Sequence, residues 1–208
     1  MTFRELIPFI TTFLLLSSNW VHSSNLPPDP STKKPPTTTA NFEKVDGIQV
    51  DVLTSLHCAD CYLLQHFLKQ HDFDARVSVT FRPVIVWPSW RNAGAIFETL
   101  KALKRSDLLD AAYKKQIPEG NQPLSIEDWT QWIIAQGIEE DTFLQTLRSA
   151  AVNQELENTH QLRRQWGVQQ VPAIIVDGKQ LLLSEQLETP RKAITLIDSS
   201  VKPQPPTP

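Results

Sequence analysis

Apolar and polar positions alternate at two places in the first half of the chain, and a helical pattern lies between them. The alternation predicts a half-buried strand over Ile48–Leu56 and a second strand over Val77–Pro83, which ends at its proline. In Cys61–Gln70 (CYLLQHFLKQ) the apolar side chains recur three and four residues apart, as in an amphipathic helix. Because the two strands flank one helix, we expect them to pair in parallel through a right-handed crossover.

The middle of the chain has helical periodicity and no run typical of a strand. Ser125 with Asp128 three residues later is typical of a helix start with a capping box, and Gly137 is a typical helix end. Four helices are predicted, over Arg91–Arg105, Asp107–Gln116, Ser125–Gly137 and Asp141–Gln165. This region is therefore expected to form a helical subdomain.

Strand patterns return near the C-terminus. Val171–Val176 and Gln180–Leu183 flank Asp177-Gly178, and an Asp-Gly pair between two apolar runs is a strong hairpin signal. A last helix is predicted over Ser184–Ser199, and Pro190 either begins it or breaks it. The predicted order is strand, helix, strand, helical insert, hairpin and helix.

Composition limits the functions that this fold can serve. The chain has 208 residues, 40% hydrophobic and 21% charged, which is enough for one substantial core. The formal net charge is −3 and no basic run is present, which argues against nucleic acid as a partner and against electrostatic attachment to a membrane.

The N-terminus indicates export. One arginine precedes an apolar core over Leu6–Leu16, which is shorter than the roughly 20 residues of a membrane-spanning helix, and small residues follow at Ser23 and Ser24. We interpret residues 1–23 as a signal peptide. An uncleaved N-terminal anchor is the alternative, because the start is weakly charged and Trp20 is unusual there. Either way the body of the protein is expected outside the cytosol, periplasmic or otherwise exported, where disulfides persist.

Proline-rich flanks bound the folded body. Residues 24–41 are rich in Pro and Thr and are predicted to be a disordered linker, and residues 202–208 (KPQPPTP) a disordered tail. The folded domain is predicted over residues 42–201, with the helical insertion over about 91–166.

The only two cysteines, Cys58 and Cys61, lie two residues apart where the first strand gives way to the first helix. A cysteine at a helix N-terminus faces unpaired backbone N–H groups and the positive end of the helix dipole, which favour the thiolate. The leading hypothesis is a dithiol–disulfide redox centre.

Three other roles remain open for this pair. A structural disulfide would close a loop so short that the chain-entropy relation gives only about 2 kcal/mol. A zinc site would need two more ligands, but Cys61 and His66 lie about 140° apart around a helix, so convergence with His71 on one ion is disfavoured. Two idle buried thiols are the third alternative.

Three segments carry a recognisable combination of motifs: Ser55–Tyr62 (SLHCADCY), Phe81–Pro83 (FRP) and Trp166–Lys179 (WGVQQVPAIIVDGK). Together they resemble the DsbA-like family of exported thiol–disulfide oxidoreductases. The resemblance covers about Gly47 to Ile197. It implies an α/β, thioredoxin-like fold interrupted by an all-helical insertion subdomain.

The resemblance also implies roles for matching positions. Cys58 would be the attacking cysteine and Cys61 the resolving cysteine of a redox-active disulfide. Pro172 would be a cis-proline facing that disulfide, and the backbone of Val171 would pair with an extended substrate.

Expected partners are reduced or unfolded exported polypeptides and a DsbB-like membrane redox protein. No separate cofactor is expected. The segment before Phe42 is too short and Pro-rich for a dimerisation domain, which favours a monomer.

The sequence departs from the family pattern beside the cysteines. The family's Pro-His dipeptide is replaced by Ala59-Asp60, and the negative Asp60 should oppose a Cys58 thiolate. The centre should then be a weaker oxidant, between about −120 mV for DsbA and about −270 mV for thioredoxin. His57 stands where the family usually has an aromatic residue; it would stabilise the thiolate if cationic and do nothing if it pointed to solvent. Val52 occupies the place of the family's buried acid.

Other functions fit the same fold. A reductase or isomerase is favoured if Asp60 dominates the electrostatics. A glutathione-dependent isomerase or transferase is disfavoured by the export signal and the two intact cysteines. A non-catalytic chaperone or metal carrier would keep its function in Cys58→Ser, whereas the enzyme would lose it.

Overall fold

The computed structural model describes residues 47–201. The predicted signal peptide (1–23), linker (24–41) and tail (202–208) lie outside these residues. None of the helices within 47–201 is both long enough and apolar enough to cross a membrane.

The core of the molecule is a four-stranded mixed sheet. The strands are β1 (Ile48–Thr54), β2 (Val77–Pro83), β3 (Ala173–Val176) and β4 (Gln180–Leu182), in the spatial order β2-β1-β3-β4. β1 pairs in parallel with β2, and β3 is antiparallel to both β1 and β4. The predicted parallel pair and C-terminal hairpin are both confirmed.

Local chemistry sets the strand ends. Asp177 and Gly178 have φ values of 51° and 60°, and positive φ at both central residues is what a type I′ hairpin turn requires. β1 ends two residues earlier than predicted, because the chain turns there and the Cys58 N–H donates to the carbonyl oxygen of Ser55 at 3.0 Å. β3 begins at Ala173 rather than Val171, since Pro172 has no N–H for the ladder.

Eight α-helices complete the described residues, and most of them join β2 to β3. They are α1 (Ala59–Gln70), α2 (Arg91–Ala102), α3 (Leu109–Gln116), α4 (Ile126–Ala135), α5 (Glu140–Leu147), α6 (Ala150–Trp166), α7 (Ser184–Leu187) and α8 (Pro190–Val201). Short 3₁₀ turns cover Pro88–Trp90, Ser106–Leu108 and Ile117–Glu119. The thioredoxin-like fold with a helical insertion is therefore confirmed.

Capping residues explain where these helices begin and end. The predicted capping box of α4 is present, with the Asp128 N–H donating to Ser125 Oγ and the Ser125 N–H donating to the Asp128 carboxylate. The single helix predicted over Asp141–Gln165 is wrong. The chain forms α5 and α6 instead, because Ser149 leaves the helical conformation and accepts a hydrogen bond from the Val152 N–H as N-cap of α6. The last predicted helix is divided into α7 and α8, and Pro190 is the first residue of α8, so each of the two alternatives for Pro190 holds in part.

Helices cover both faces of the sheet. Val50 and Val52 of β1 pack in one cluster with Leu64 of α1 and Ile197 of α8. Leu53, which points the other way, packs in a second cluster with residues from the end of α6. The insertion has its own core of buried side chains: Ala93, Ile96, Phe97, Leu100, Leu108, Leu109, Ala112, Tyr113, Trp129, Ile133, Ile138 and Phe143.

Two residues of the cysteine segment belong to the core of the insertion. Leu56 and Cys61 are both buried in that cluster, and Cys58 and Tyr62 pack against it. The CxxC segment therefore lies where the end of β1 meets the helical insertion.

Candidate active site

Cys58 and Cys61 form a disulfide at the N-terminus of α1. Cys58 is the N-cap residue, with extended backbone angles, and its Sγ accepts a hydrogen bond from the Cys61 N–H at 3.0 Å. The sequence produces this geometry because β1 ends at Thr54 and the helical pattern begins at Ala59. A backbone N–H and the helix dipole both favour negative charge on Sγ of Cys58 after reduction.

The two sulfurs differ in accessibility. Cys58 is partly exposed, whereas only 2% of Cys61 is exposed and its side chain packs in the core of the insertion. An incoming thiolate can therefore reach Cys58 and not Cys61. The two cysteines are thus distinct in both access and electrostatics.

The Val171–Pro172 peptide bond lies beside this disulfide and is cis. The carbonyl oxygen of Val171 is 3.6 Å from Sγ of Cys58, across 113 residues of sequence. Ser184 Oγ donates to the carbonyl oxygen of Pro172 at 2.8 Å, which ties this loop to the start of α7. The fold thus brings together the four residues that the resemblance singles out: Cys58, Cys61, Val171 and Pro172.

His57 is buried, so the alternative in which it points to solvent is wrong. Its ring stacks on Trp90 with centroids 4.9 Å apart and an interplanar angle of 10°. Its Nδ1 lies 2.9 Å from the carbonyl oxygen of Gly120, and because a carbonyl only accepts, Nδ1 carries the proton. Burial lowers the pKa of His57 from its ordinary value of 6.5, and the hydrogen bond to Gly120 opposes this only in part. The cationic form that would assist a Cys58 thiolate is therefore disfavoured.

Ala59 and Asp60 are exposed in the first turn of α1. Asp60 lies with Pro172 in the lining of a groove beside the disulfide. No hydrogen bond or ion pair joins its carboxylate to another residue within 47–201. The negative charge next to Cys58 is therefore open to solvent and to anything that enters the groove.

Asp51 is the acidic residue of β1, and its side chain lies on the face of the sheet opposite to that of Val52, because neighbouring residues of a strand point to opposite faces. Val52 is buried among α1 and α8, whereas the Asp51 carboxylate accepts a hydrogen bond from Arg82 Nε at 2.6 Å on the other side. Asp51 is thus engaged in a mostly buried ion pair.

Several residues of this site were missed by sequence reasoning. Trp90 and Gly120 contact His57, Ser184 holds the Pro172 loop, and Leu187 and Glu188 line the groove. No local pattern marks them, because they come from the insertion and from the α7–α8 corner and meet the cysteine segment only in the folded chain.

A zinc site is not supported by the described part of the chain. His66 pairs with Gln70 on the surface of α1, and His71 Nε2 lies 3.2 Å from the Asp198 carboxylate of α8. Within residues 47–201 there is no group of three or more His, Cys, Asp or Glu side chains arranged to hold a metal ion.

Comparison with known proteins agrees with this architecture. The DSBA-like thioredoxin domain family matches residues 89–195, which is just over half of the chain and begins after the two cysteines. The thiol:disulfide interchange protein DsbA of Pseudomonas syringae pv. tomato is 25% identical over 157 residues, covering 74% of this chain and 73% of that protein. DsbA of Azotobacter vinelandii is 25% identical over 139 residues, covering 64% of this chain and 63% of its own.

Solved structures show the same fold. The crystal structure of Pseudomonas aeruginosa DsbA superposes with a TM-score of 0.68 at 21% identity, over 78% of this chain and 86% of that one. The oxidoreductase DsbA from Xylella fastidiosa gives a TM-score of 0.66 at 16% identity, over 74% and 87%. Together with the CxxC pair at the start of α1, these findings establish that the chain belongs to the DSBA-like thioredoxin domain family and is a DsbA-like thiol:disulfide oxidoreductase.

Proposed function

We propose that this oxidoreductase is exported and transfers its Cys58–Cys61 disulfide to cysteine pairs of newly exported polypeptides. One observation carries the proposal. Cys58 is a partly exposed residue, and its Sγ accepts the Cys61 N–H at 3.0 Å and lies 3.6 Å from the carbonyl oxygen of Val171, next to the cis-proline. A sulfur so placed is accessible to attack and stabilised as a leaving group.

Two exchanges complete the reaction. A substrate thiolate attacks Sγ of Cys58, the Cys58–Cys61 bond breaks, and Cys61 takes the electron pair and then a proton. The second substrate thiolate attacks the substrate sulfur of the mixed disulfide, and Cys58 leaves as a thiolate held by the N-terminus of α1. The substrate loses two electrons and gains a disulfide, while the enzyme dithiol gains both electrons.

Val171 and Pro172 are proposed to position the substrate. The β1–β3 ladder ends at the pair Leu53–Ala173, so the backbone of Val171 lies just beyond it. An extended polypeptide can add a strand to such an edge through main-chain hydrogen bonds. The hydrogen bond from Ser184 to Pro172 supports this role, because it holds the loop in place beside the disulfide.

The location and partners are proposals from the sequence. Residues 1–23 would direct export to the periplasm or beyond, with an uncleaved N-terminal anchor as the alternative. Residues 24–41 would link this N-terminal segment to a folded domain over residues 42–201. A DsbB-like membrane protein would re-oxidise the dithiol, and the chain would act as a monomer. Re-oxidation by membranes that contain such a partner, and light scattering of the purified chain, test these two points.

Single-cysteine variants test the central proposal. With oxidised protein and a reduced dithiol peptide, the wild type should form one peptide disulfide per Cys58–Cys61 disulfide consumed. Cys58→Ser should lose all activity. Cys61→Ser cannot form the internal disulfide, so it is incubated with the peptide in its disulfide form; the Cys58 thiolate should attack that disulfide, release one peptide thiol and accumulate a mixed disulfide that a non-reducing gel detects. Equal peptide oxidation by Cys58→Ser and the wild type would contradict the assignment.

A reductase or isomerase is the second candidate, and two observations favour it. Asp60 places an exposed negative charge beside Cys58, and the buried His57 has a lowered pKa and so supplies no compensating positive charge. Both make the Cys58 thiolate less stable and the disulfide less oxidising. Equilibration of the Cys58–Cys61 pair with glutathione distinguishes the two functions. A reduction potential above about −180 mV indicates an oxidase, and a potential of about −250 mV indicates a reductase or isomerase.

A further inference from the structure

A groove of about 110 Å³ opens next to the cis-proline, between the start of α1 and the α7–α8 corner. Its lining includes Leu63, which is 45% exposed, together with the buried Leu64 and Leu187. An apolar surface that stays accessible beside a reactive sulfur can accept a side chain of a bound polypeptide.

The titratable groups in the lining of this groove are both carboxylates. Asp60 comes from the first turn of α1 and Glu188 from the corner between α7 and α8, and both are exposed. Lysine, arginine and histidine are missing from the lining residues. Glu188 Oε1 pairs with Lys192 Nζ at 2.5 Å, which offsets part of its charge, whereas Asp60 has no ion pair within residues 47–201.

The backbone at Glu188 gives a second reason to consider its side chain. Its φ is 39°, in the region that favours glycine and costs other residues strain. The local backbone therefore does not favour a glutamate here.

We propose that Asp60 and Glu188 make this groove select polypeptide substrates that carry a lysine or arginine within a few residues of the reacting cysteine. This inference rests on the proposed function, in which Cys58 exchanges with a polypeptide. The aliphatic stem of a lysine or arginine would lie along Leu63 and Leu187 while its charged head meets the two carboxylates. Exposed ion pairs are weak, so the expected preference for a basic over an acidic flank is about three- to tenfold in rate constant.

Three matched dithiol peptides test the proposal. They differ at one position, two residues from the attacking cysteine, which is lysine, glutamine or glutamate. The second-order rate constant for peptide oxidation by the oxidised full chain is measured by stopped flow at low and at high salt. The lysine peptide should react fastest and the glutamate peptide slowest, and the ratio should approach one at about 1 M salt because exposed charges are screened.

Charge variants identify the source of the preference. Asp60→Asn and Glu188→Gln should each lower the lysine-to-glutamate ratio, and together they should bring it to about one. Lys192→Met should raise the ratio, since it releases the Glu188 carboxylate. The matched control is Glu185→Gln, an exposed charge on α7 outside the groove, which should leave the ratio unchanged. A ratio is used because any change in redox potential scales the rates of all three peptides together.

The outcomes separate this inference from the proposed function. Equal rates for the three peptides in the wild type would overturn the selection and leave the groove to another occupant, such as the membrane redox partner. A preference that survives in the double variant would also overturn it, because the charge would then lie elsewhere. Failure to oxidise any of the peptides would overturn the proposed function itself.

Discussion

His57 donates a hydrogen bond from Nδ1 to the carbonyl oxygen of Gly120 at 2.9 Å and so joins the residue before Cys58 to the helical insertion. Trp90, at the start of the insertion, stacks on the same ring. The second ring nitrogen, Nε2, is buried and has no hydrogen-bond partner within residues 47–201. A proton on Nε2 would place a positive charge in this buried environment, which explains why the pKa of His57 is lowered.

The lowered pKa makes stability depend on pH. Below about pH 6.5 the unfolded chain binds a proton at His57, whereas the folded chain binds it only at lower pH. The free energy of unfolding therefore falls as pH falls from about 6.5 through the lowered pKa of His57 in the folded chain. Urea unfolding at about pH 7.5 and about pH 5.5 should show a larger loss for the wild type than for His57→Phe, which keeps the stacking and cannot be protonated. The same loss in both proteins would contradict the burial of an uncharged imidazole.

Asp60 offers a direct test of redox tuning. Asp60→Asn removes a negative charge beside Cys58, which should stabilise the thiolate and shift the equilibrium with glutathione about three- to tenfold, or roughly 15–30 mV, toward a stronger oxidant. The shift should shrink in high salt because Asp60 is exposed. Asp72→Asn, the same change beyond the other end of α1, is the control and should leave the potential unaltered. An unchanged potential in Asp60→Asn would mean that solvent screens this carboxylate completely.

Thr54 and Tyr113 connect the end of β1 to α3 of the insertion. Their hydroxyls share a hydrogen bond, both residues are buried, and burial raises the pKa of Tyr113. Tyr113→Phe should cost about 1–2 kcal/mol in unfolding free energy, because it leaves the Thr54 hydroxyl buried without a partner.

A double-mutant cycle isolates this bond. Thr54→Val should also destabilise, and the variant that combines it with Tyr113→Phe should lose less than the sum, by about 1 kcal/mol, when measured by chemical denaturation. Tyr62→Phe changes the chain's other tyrosine, which is only partly buried, and should have little effect. Strictly additive losses would show that the two hydroxyls do not depend on each other.

Several features that sequence reasoning predicted correctly depend only on local residues. Asp177-Gly178 needs only its own backbone preferences to form a hairpin turn, and the Ser125–Asp128 capping box is complete within four residues. The break between α5 and α6 was missed because apolar residues keep their helical spacing across it, and only the cap at Ser149 marks the end of one helix and the start of the next.

The surroundings of the site could not be predicted in the same way. The cysteines and the Val171–Pro172 pair carry their own motifs, so their assembly follows from the family resemblance. His57 illustrates what is missing, since its charge depends on burial by Trp90 and Gly120, which belong to distant parts of the sequence. The charges at the site therefore depend on tertiary contacts. The sequence alone leaves both a charged and an uncharged His57 open.

Glu98 of α2 is a buried acid on which the proposed reaction does not rely. It is 3% exposed, and Lys101 Nζ donates to its carboxylate at 2.9 Å. Burial raises the pKa of Glu98, and Lys101 opposes this only in part. Between the ordinary value of 4.5 and the raised value, the folded chain holds a proton that the unfolded chain has lost, so this group's contribution to stability falls as pH rises through that window.

Two variants of this pair should respond to pH in opposite directions. Glu98→Gln resembles the protonated acid, so its unfolding free energy relative to the wild type should rise between about pH 4 and about pH 7. Lys101→Met should cost about 1–3 kcal/mol at about pH 7, because it leaves a buried carboxylate unpaired, and less at about pH 4, where that carboxylate is protonated. Denaturant midpoints at both pH values measure the two effects. If Glu98→Gln instead loses stability relative to the wild type as pH rises, the ion pair with Lys101 outweighs the cost of burying the charge.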